Sequence, residues 1–81
     1  MAQKTTTDHR LAAVIERRRL DSGRTYRGLA DETLIPLTTL HRNLQTDEGA
    51  FTVTQLRRIA LAFDVSVSAL MAEAEHESRV A

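Results

Sequence analysis

The 81-residue sequence contains no cysteine and no tryptophan, and it has only one proline and three glycines. Without cysteine, the fold can hold neither a disulfide nor a thiolate-bound metal. Tyr26, Phe51 and Phe63 are the only aromatic residues, so the core must be mostly aliphatic. Because helix-breaking residues are scarce while Ala, Leu, Arg and Glu are common, the composition favours an all-α domain.

The sequence lacks the features that several classes of function require. No apolar run approaches the ~20 residues of a membrane span, and no apolar segment follows Lys4 as in a signal peptide. We therefore expect a cytoplasmic protein with no membrane partner. The histidines (His9, His41 and His76) lack metal-ligand spacing, and no serine or threonine is arranged with a histidine and a carboxylate. We expect no metal, no cofactor and no catalytic residue, and hence no enzyme.

The formal net charge is zero, but the charges are unevenly distributed. Residues 1–28 carry seven basic and three acidic side chains, whereas residues 29–50 carry one basic and four acidic. A neutral total counts mildly against nucleic-acid binding, since domains that bind nucleic acids are usually basic. The basic excess of residues 1–28 nevertheless favours a local positive field near the first helix. The run Arg17-Arg18-Arg19 fits either a solvated helix face or a patch that contacts DNA.

Helical spacing and capping signals predict five short helices and no sheet. The N-terminal signals, in chain order, are Asp8, Thr25, Pro36, a Thr52/Gln55 capping box with Phe51 and Leu56 as its hydrophobic staple, and Ser66. We expect Gly23 to end the first helix and Asp64 to end the fourth. The resulting division is a flexible N-terminal arm at residues 1–7, one domain at 8–74 and a polar C-terminal tail at 75–81.

Apolar stripes at helical spacing identify the expected core. In chain order they are Leu11, Ala12, Val14 and Ile15; Leu29, Ala30 and Thr33; Leu37, Leu40 and Leu44; Val53, Leu56, Ile59, Ala60 and Phe63; and Val67, Leu70, Met71 and Ala74. The third of these stripes directs its leucines inward. It leaves Thr38, Thr39 and Arg42 on the opposite, outward side of the helix.

Residues 25–44, TYRGLADETLIPLTTLHRNL, read as two short helices joined by a tight turn. The pattern LAxxT before the turn, the PLTTLHR segment after it and the run TVTQLRRIALAFDVSVSAL from Thr52 resemble the Cro/C1-type helix-turn-helix domains of phage repressors and bacterial regulators. The resemblance covers roughly residues 9–72 and implies a compact five-helix bundle of the lambda-repressor-like type. The sequence departs from the family pattern at Leu34, where glycine is usual, and at Asn43, where an apolar residue is usual and Leu44 is expected to supply the contact.

The resemblance implies that the third helix lies in the major groove of DNA and reads base edges. Thr38, Thr39 and Arg42 are then the base-reading candidates, and Arg42 can donate two hydrogen bonds to O6 and N7 of guanine. The family pattern also turns Leu37 toward the DNA. The apolar stripe turns it inward instead, and we favour the stripe.

Contacts to the DNA backbone are expected mainly at the start of the second helix, where free N–H groups favour anions. The candidates are Thr25, Tyr26, Arg27, His41 and Asn43, the last two flanking the outward face of the third helix. Such contacts fix register without reading sequence. Tyr26 fits equally well over the edge of the core with its hydroxyl in water.

The resemblance therefore implies a sequence-specific regulator of transcription that binds a double-stranded DNA operator, as a small repressor. One unit of this size makes few contacts with DNA and such proteins usually bind two half-sites, so we expect a homodimer. Leu61 falls off the main stripe of the fourth helix, and we expect it to form the contact through the fourth and fifth helices together with Met71 and Val80. The other interpretation of Leu61 is that it packs under the first helix. The sequence ends soon after the fifth helix, so we expect no effector-sensing domain within it and no small-molecule effector. It fits either a minimal repressor of the phage Cro or immunity type or the DNA-binding part of a longer protein. The alternative function is a protein-interaction module, such as an antitoxin or an adaptor, on the same scaffold.

Overall fold

The computed structural model describes residues 5–80, which form five α-helices as expected. The helices are α1 (Thr6–Asp21), α2 (Tyr26–Thr33), α3 (Leu37–Gln45), α4 (Val53–Ala62) and α5 (Val67–Val80). The all-α fold predicted from composition and spacing is confirmed. None of the described helices is both long enough and apolar enough to cross a bilayer. The molecule measures 32 × 31 × 21 Å along its principal axes.

The core lies where the five helices meet, and α1 and α5 form its most extensive helix pair. Its buried residues are Leu11, Val14, Ile15, Leu29, Ile35, Leu40, Leu56, Ile59, Ala60, Leu70 and Ala74. The predicted stripes of α1 and α5 are confirmed, whereas two other stripes each contain an exposed member. Val53, the first residue of α4, is 64% exposed because the buried side of that helix follows Leu56, Ile59 and Ala60. The second, Leu37 in α3, belongs to the site described below.

The start of α1 differs from the prediction by one turn. Thr5 is the N-cap, and Asp8 is the third helical residue of a reciprocal capping box. The Thr5 hydroxyl accepts the Asp8 backbone N–H at 3.1 Å, and the Asp8 carboxylate accepts the Thr5 backbone N–H at 3.2 Å. Two orphan N–H groups are satisfied in this way, whereas a cap by Asp8 alone satisfies one. Residues 1–4 of the expected arm and Ala81 of the expected tail lie outside the described residues.

A three-residue turn, residues 34–36, sets α3 against α2. Thr25 caps α2 as predicted, because its hydroxyl accepts the Gly28 N–H at 3.0 Å. The chain reverses at Leu34, which adopts the left-handed conformation with φ +59°. Ile35 is then buried, and Pro36 serves as the N-cap of α3 rather than as its first helical residue.

Two further caps are confirmed. The Thr52 hydroxyl accepts the Gln55 N–H at 3.1 Å, and the Gln55 side chain accepts the Thr52 N–H at 3.0 Å. The Ser66 hydroxyl accepts the Ala69 N–H at 3.0 Å at the start of α5. Asp64, with φ +57°, provides the left-handed residue that ends α4. These local interactions satisfy orphan backbone N–H groups at the starts of α4 and α5 and stop α4 before the turn to α5.

Candidate nucleic-acid interface

The orientation of α3 follows from its two fully buried residues. Leu40 is 0% exposed and Asn43 is 1% exposed, and residues three apart lie on the same side of a helix. The opposite side carries Thr38, His41 and Arg42, which are all exposed. We call these three residues the reading face. The face therefore contains His41, which was predicted only to flank it.

Two predictions about α3 are corrected by this phase. Asn43 was expected to reach sugar or phosphate, but its burial leaves no side-chain surface for such a contact. Asn43 itself occupies the inward position at which the resembled family has an apolar residue, and Leu44 is only half-buried beside it. Leu37 was expected to point inward, yet it is 38% exposed. Thr39 is half-buried on the flank between the reading face and the core.

The loop after α3 closes over the buried asparagine. Gly49 has φ +82°, and a Cβ added there would overlap the side-chain oxygen of Asn43. The same Cβ would lie 3.1 Å from Nε of Arg42. Glycine is therefore required at this position both for its backbone conformation and for the close approach of the loop.

A shallow open groove of about 520 Å³ runs between the start of α2 and the outer side of α3. It is lined by Tyr26, Arg27, Leu37, Thr38, His41, Arg42 and Thr46. The structure thus brings together five of the eight residues that the sequence nominated for DNA contact. The other three, Thr25, Thr39 and Asn43, do not line the groove.

Beside the groove, one carboxylate joins three helices. Glu16 of α1 accepts a hydrogen bond from Nε of Arg19 at 2.7 Å, from the Tyr26 hydroxyl at 2.5 Å and from the Gln45 amide at 2.9 Å. The Gln45 amide also donates to the Tyr26 hydroxyl. The first residue of α2 and the last residue of α3 are in this way both attached to α1. We call these four residues the Glu16 cluster.

The Tyr26 ring contacts a cation and a second ring. The Arg19 guanidinium carbon lies 4.0 Å from the ring centroid, and the His41 ring meets it edge-on at a centroid distance of 5.7 Å. The ring is half-buried, and its hydroxyl is bonded within the protein rather than only to water. The ring is packed over the edge of the core as one interpretation of Tyr26 expected, but its hydroxyl is held by Glu16 instead of lying in water.

Ionisation of the cluster follows from these contacts. The hydrogen bond from Arg19 is the largest effect that lowers the pKa of Glu16 below its ordinary value, and it outweighs the opposing effect of burial. Burial, followed by the hydrogen bond to Glu16, raises the pKa of Tyr26. At neutral pH the cluster therefore holds a carboxylate and a protonated phenol, which is the state in which Tyr26 donates its proton.

The arginines at the end of α1 are engaged largely within the protein. Arg18 pairs with Glu73 of α5, and Arg19 also donates to the backbone oxygen of Arg24 at 2.8 Å. Arg24 donates to Glu32 at 3.0 Å and to the Ala62 carbonyl at 2.8 Å, so it joins the loop before α2 to the end of α4. The exposed cations at the groove are Arg27 and Arg42 instead.

Sequence reasoning missed the Glu16 cluster because its members lie on three helices and each resembles an ordinary surface residue. No local spacing relates Glu16 to Gln45, which is 29 residues away. The sequence feature that could have revealed the cluster was Tyr26 at the first position of α2, because the hydroxyl of a half-buried tyrosine needs a hydrogen-bond partner. Within residues 5–76, whose side chains the structure describes, no three His, Asp or Glu side chains come close enough to hold a metal ion.

The fold is shared with a solved regulator structure. The crystal structure of the clp gene regulator ClgR from Corynebacterium glutamicum superposes with a TM-score of 0.82 and 21% sequence identity, covering 95% of this chain and 81% of that chain. No protein-family model matches the chain, and no curated protein matches it. The structural likeness establishes a common five-helix fold.

Proposed function

We propose that the protein is a sequence-specific double-stranded DNA-binding regulator of transcription, a small repressor whose α3 enters the major groove. The observation that carries the proposal is the phase of α3: burial of Leu40 and Asn43 turns Thr38, His41 and Arg42 outward. An exposed helix with polar side chains fits the major groove, where base edges present donors and acceptors. The shared fold with a gene regulator supports the same function.

Each exposed residue of the groove has a role that suits its chemistry. Arg42 can recognise guanine through two hydrogen bonds, and Thr38 can offer a hydroxyl or a methyl group to a base. Arg27, at the start of α2, suits a phosphate, and His41 can contact sugar or phosphate. Because the Tyr26 hydroxyl is held by Glu16 and Gln45, we assign the main backbone contact to Arg27 rather than to Tyr26. Thr25 and Thr39 lie outside the groove and take secondary roles, as a phosphate contact and a base contact.

The regulator is further proposed to act as a homodimer, because one helix-turn-helix unit of this size makes few contacts with DNA and such units usually bind paired half-sites. Leu61 on α4 is 79% exposed, so it does not pack under α1. Val53, at the start of α4, is 64% exposed. We assign the contact with a second copy to the apolar surface of these two residues and of the half-buried Met71 of α5.

Titration of the protein into fluorescently labelled random duplex at low salt tests DNA binding directly. We expect anisotropy to rise at micromolar protein and the affinity to fall steeply as salt is added, because phosphate contacts release counterions. Absence of binding under these conditions would favour the interaction module, an antitoxin or an adaptor. Selection of bound sequences from a random pool then supplies the operator.

Substitution of Arg42 by alanine tests whether the reading face reads sequence. On the selected operator we expect Arg42→Ala to lose about 1–3 kcal/mol of binding free energy, concentrated on one base pair. Arg27→Ala is the matched comparison: it should weaken binding to all sequences about equally and reduce the salt dependence. A loss with Arg42→Ala that is uniform across sequences would show that Arg42 contacts phosphate only.

A further inference from the structure

Leu37 is an exposed leucine, and packing in the core does not explain why a leucine stands at this position. It is the first residue of α3, and 38% of its surface remains exposed although every other leucine of α3 is buried or half-buried. The buried side of the helix is centred between Leu40 and Asn43, so Leu37 lies at its margin, where it lines the groove together with Thr38 and His41. Its side chain therefore adds an apolar element to the edge of the reading face.

The groove that contains Leu37 carries cations that suit the phosphates of a duplex. The groove that it lines has the exposed arginines Arg27 and Arg42 on its border. The nearby carboxylate of Glu16 is paired with Arg19, so it does not present an unbalanced negative charge to an approaching phosphate. An apolar side chain close to two cations suits a polyanion that carries an apolar group. A DNA duplex has such a group in its major groove.

That apolar group is the 5-methyl of thymine, which protrudes among the polar base edges of the major groove. The N-terminal residues of a recognition helix are the ones that contact base edges, and Leu37 is the first of them in α3. We propose that Leu37 is a specificity-determining residue that packs against the 5-methyl group of a pyrimidine, so that the operator carries a thymine at a defined position. This inference rests on the proposed function and specifies the DNA sequence that the same site recognises.

Replacement of thymine by deoxyuridine provides the test, because it removes the methyl group and keeps every hydrogen-bonding atom of the base. In the operator selected with the wild-type protein, each thymine is replaced singly and the affinity is measured. Burial of one methyl group corresponds to about a fourfold change in affinity. We expect wild type to lose about fourfold at one thymine of the half-site, and Leu37→Ala to bind the thymine and deoxyuridine duplexes equally there.

Leu20→Ala is the matched control, since Leu20 lies on α1, is 62% exposed and does not line the groove. This variant should retain the wild-type preference for thymine. The inference is overturned if no replacement weakens wild type, or if the loss persists unchanged in Leu37→Ala, while specific binding itself remains intact. Failure to select any specific duplex would instead overturn the proposed function, and this inference with it.

Discussion

Glu16 has hydrogen-bond partners on both helices of the α2–α3 unit as well as on its own helix. It accepts hydrogen bonds from Arg19, Tyr26 and Gln45, which belong to three different helices. Hydrogen bonds to a charged group are worth more than neutral ones, and leaving a half-buried partner unsatisfied costs more than the bond itself contributes. A single carboxylate can therefore influence both the stability of the fold and the placement of the groove.

Substitution of Glu16 by glutamine should make the free energy of unfolding depend less on pH in the acidic range. The folded-state pKa of Glu16 lies below the ordinary value of 4.5, so its charge stabilises the fold above that pH, and this stabilisation is lost as pH falls through the folded-state pKa. We expect Glu16→Gln to lower the free energy of unfolding by about 1 kcal/mol at pH 7, with the difference shrinking toward pH 3. Urea denaturation across this range measures it.

Glu75→Gln is the control for this measurement, because Glu75 is exposed on α5 and outside the cluster. It should leave the free energy of unfolding nearly unchanged at both ends of the pH range. A Glu16→Gln variant that differs from wild type by the same amount at pH 3 and at pH 7 would argue that the charge of Glu16 is not what stabilises the cluster.

At single positions, the sequence predicted side-chain orientation correctly where helical spacing alone decides it. The prediction failed where the orientation depends on how α3 packs against the core. Thr38 and Arg42 were correctly placed outward because helical spacing alone separates them from Leu40. The positions of Leu37 and Asn43 were both misjudged. Leu40 and Leu44 of the predicted stripe pack against the core, but the buried side of the helix takes in Asn43 rather than Leu37. Asn43 is buried because the loop that contains Gly49 packs over its side chain, and the helical pattern of α3 gives no sign of that contact.

Among the secondary-structure elements, the turn between α2 and α3 carries backbone strain. Leu34 adopts φ +59°, a region that costs a residue with a Cβ about 1–2 kcal/mol. Its side chain is 75% exposed, so little packing offsets that cost. The family resemblance had already marked Leu34 as the position where glycine is usual, and the observed backbone explains why.

Replacement of Leu34 by glycine should therefore stabilise the protein. Relief of the strain outweighs the additional flexibility that glycine gives the unfolded chain, so we expect a gain of about 0.5–1 kcal/mol in the free energy of unfolding. Thermal and urea denaturation measure the gain. Leu34→Ala keeps the Cβ and should give little or none of it, and equal stability of the two variants would contradict the explanation by strain.

The predicted helix boundaries were accurate wherever a cap consists of neighbouring residues. Thr25, the Thr52/Gln55 pair and Ser66 were identified because a cap is satisfied within one turn. The start of α1 was misplaced because three consecutive threonines precede Asp8, and each of them can cap. Only the reciprocal bonds between Thr5 and Asp8 distinguish the first of them.

For the molecule as a whole, the proposed dimer makes the clearest prediction. Sedimentation should show the wild-type protein passing from monomer to dimer as its concentration rises, through the patch that contains Leu61. Leu61→Glu should remain monomeric at the same concentrations, because the new carboxylate is desolvated in the contact. Leu20→Glu introduces the same change at an exposed leucine of α1 and should still dimerise. A wild-type protein that is monomeric at every concentration, with no DNA present, would count against the dimer.

If the protein binds DNA as the proposed dimer, the dimensions of the molecule set how its two copies sit along a duplex. Two copies touching along either long axis have their centres about 31 Å apart, close to the roughly 34 Å rise of one helical repeat of B-DNA. Both copies then approach from the same side of the double helix, in phase with its pitch. Half-sites separated by a further half-turn would face opposite sides and could not be spanned by one pair.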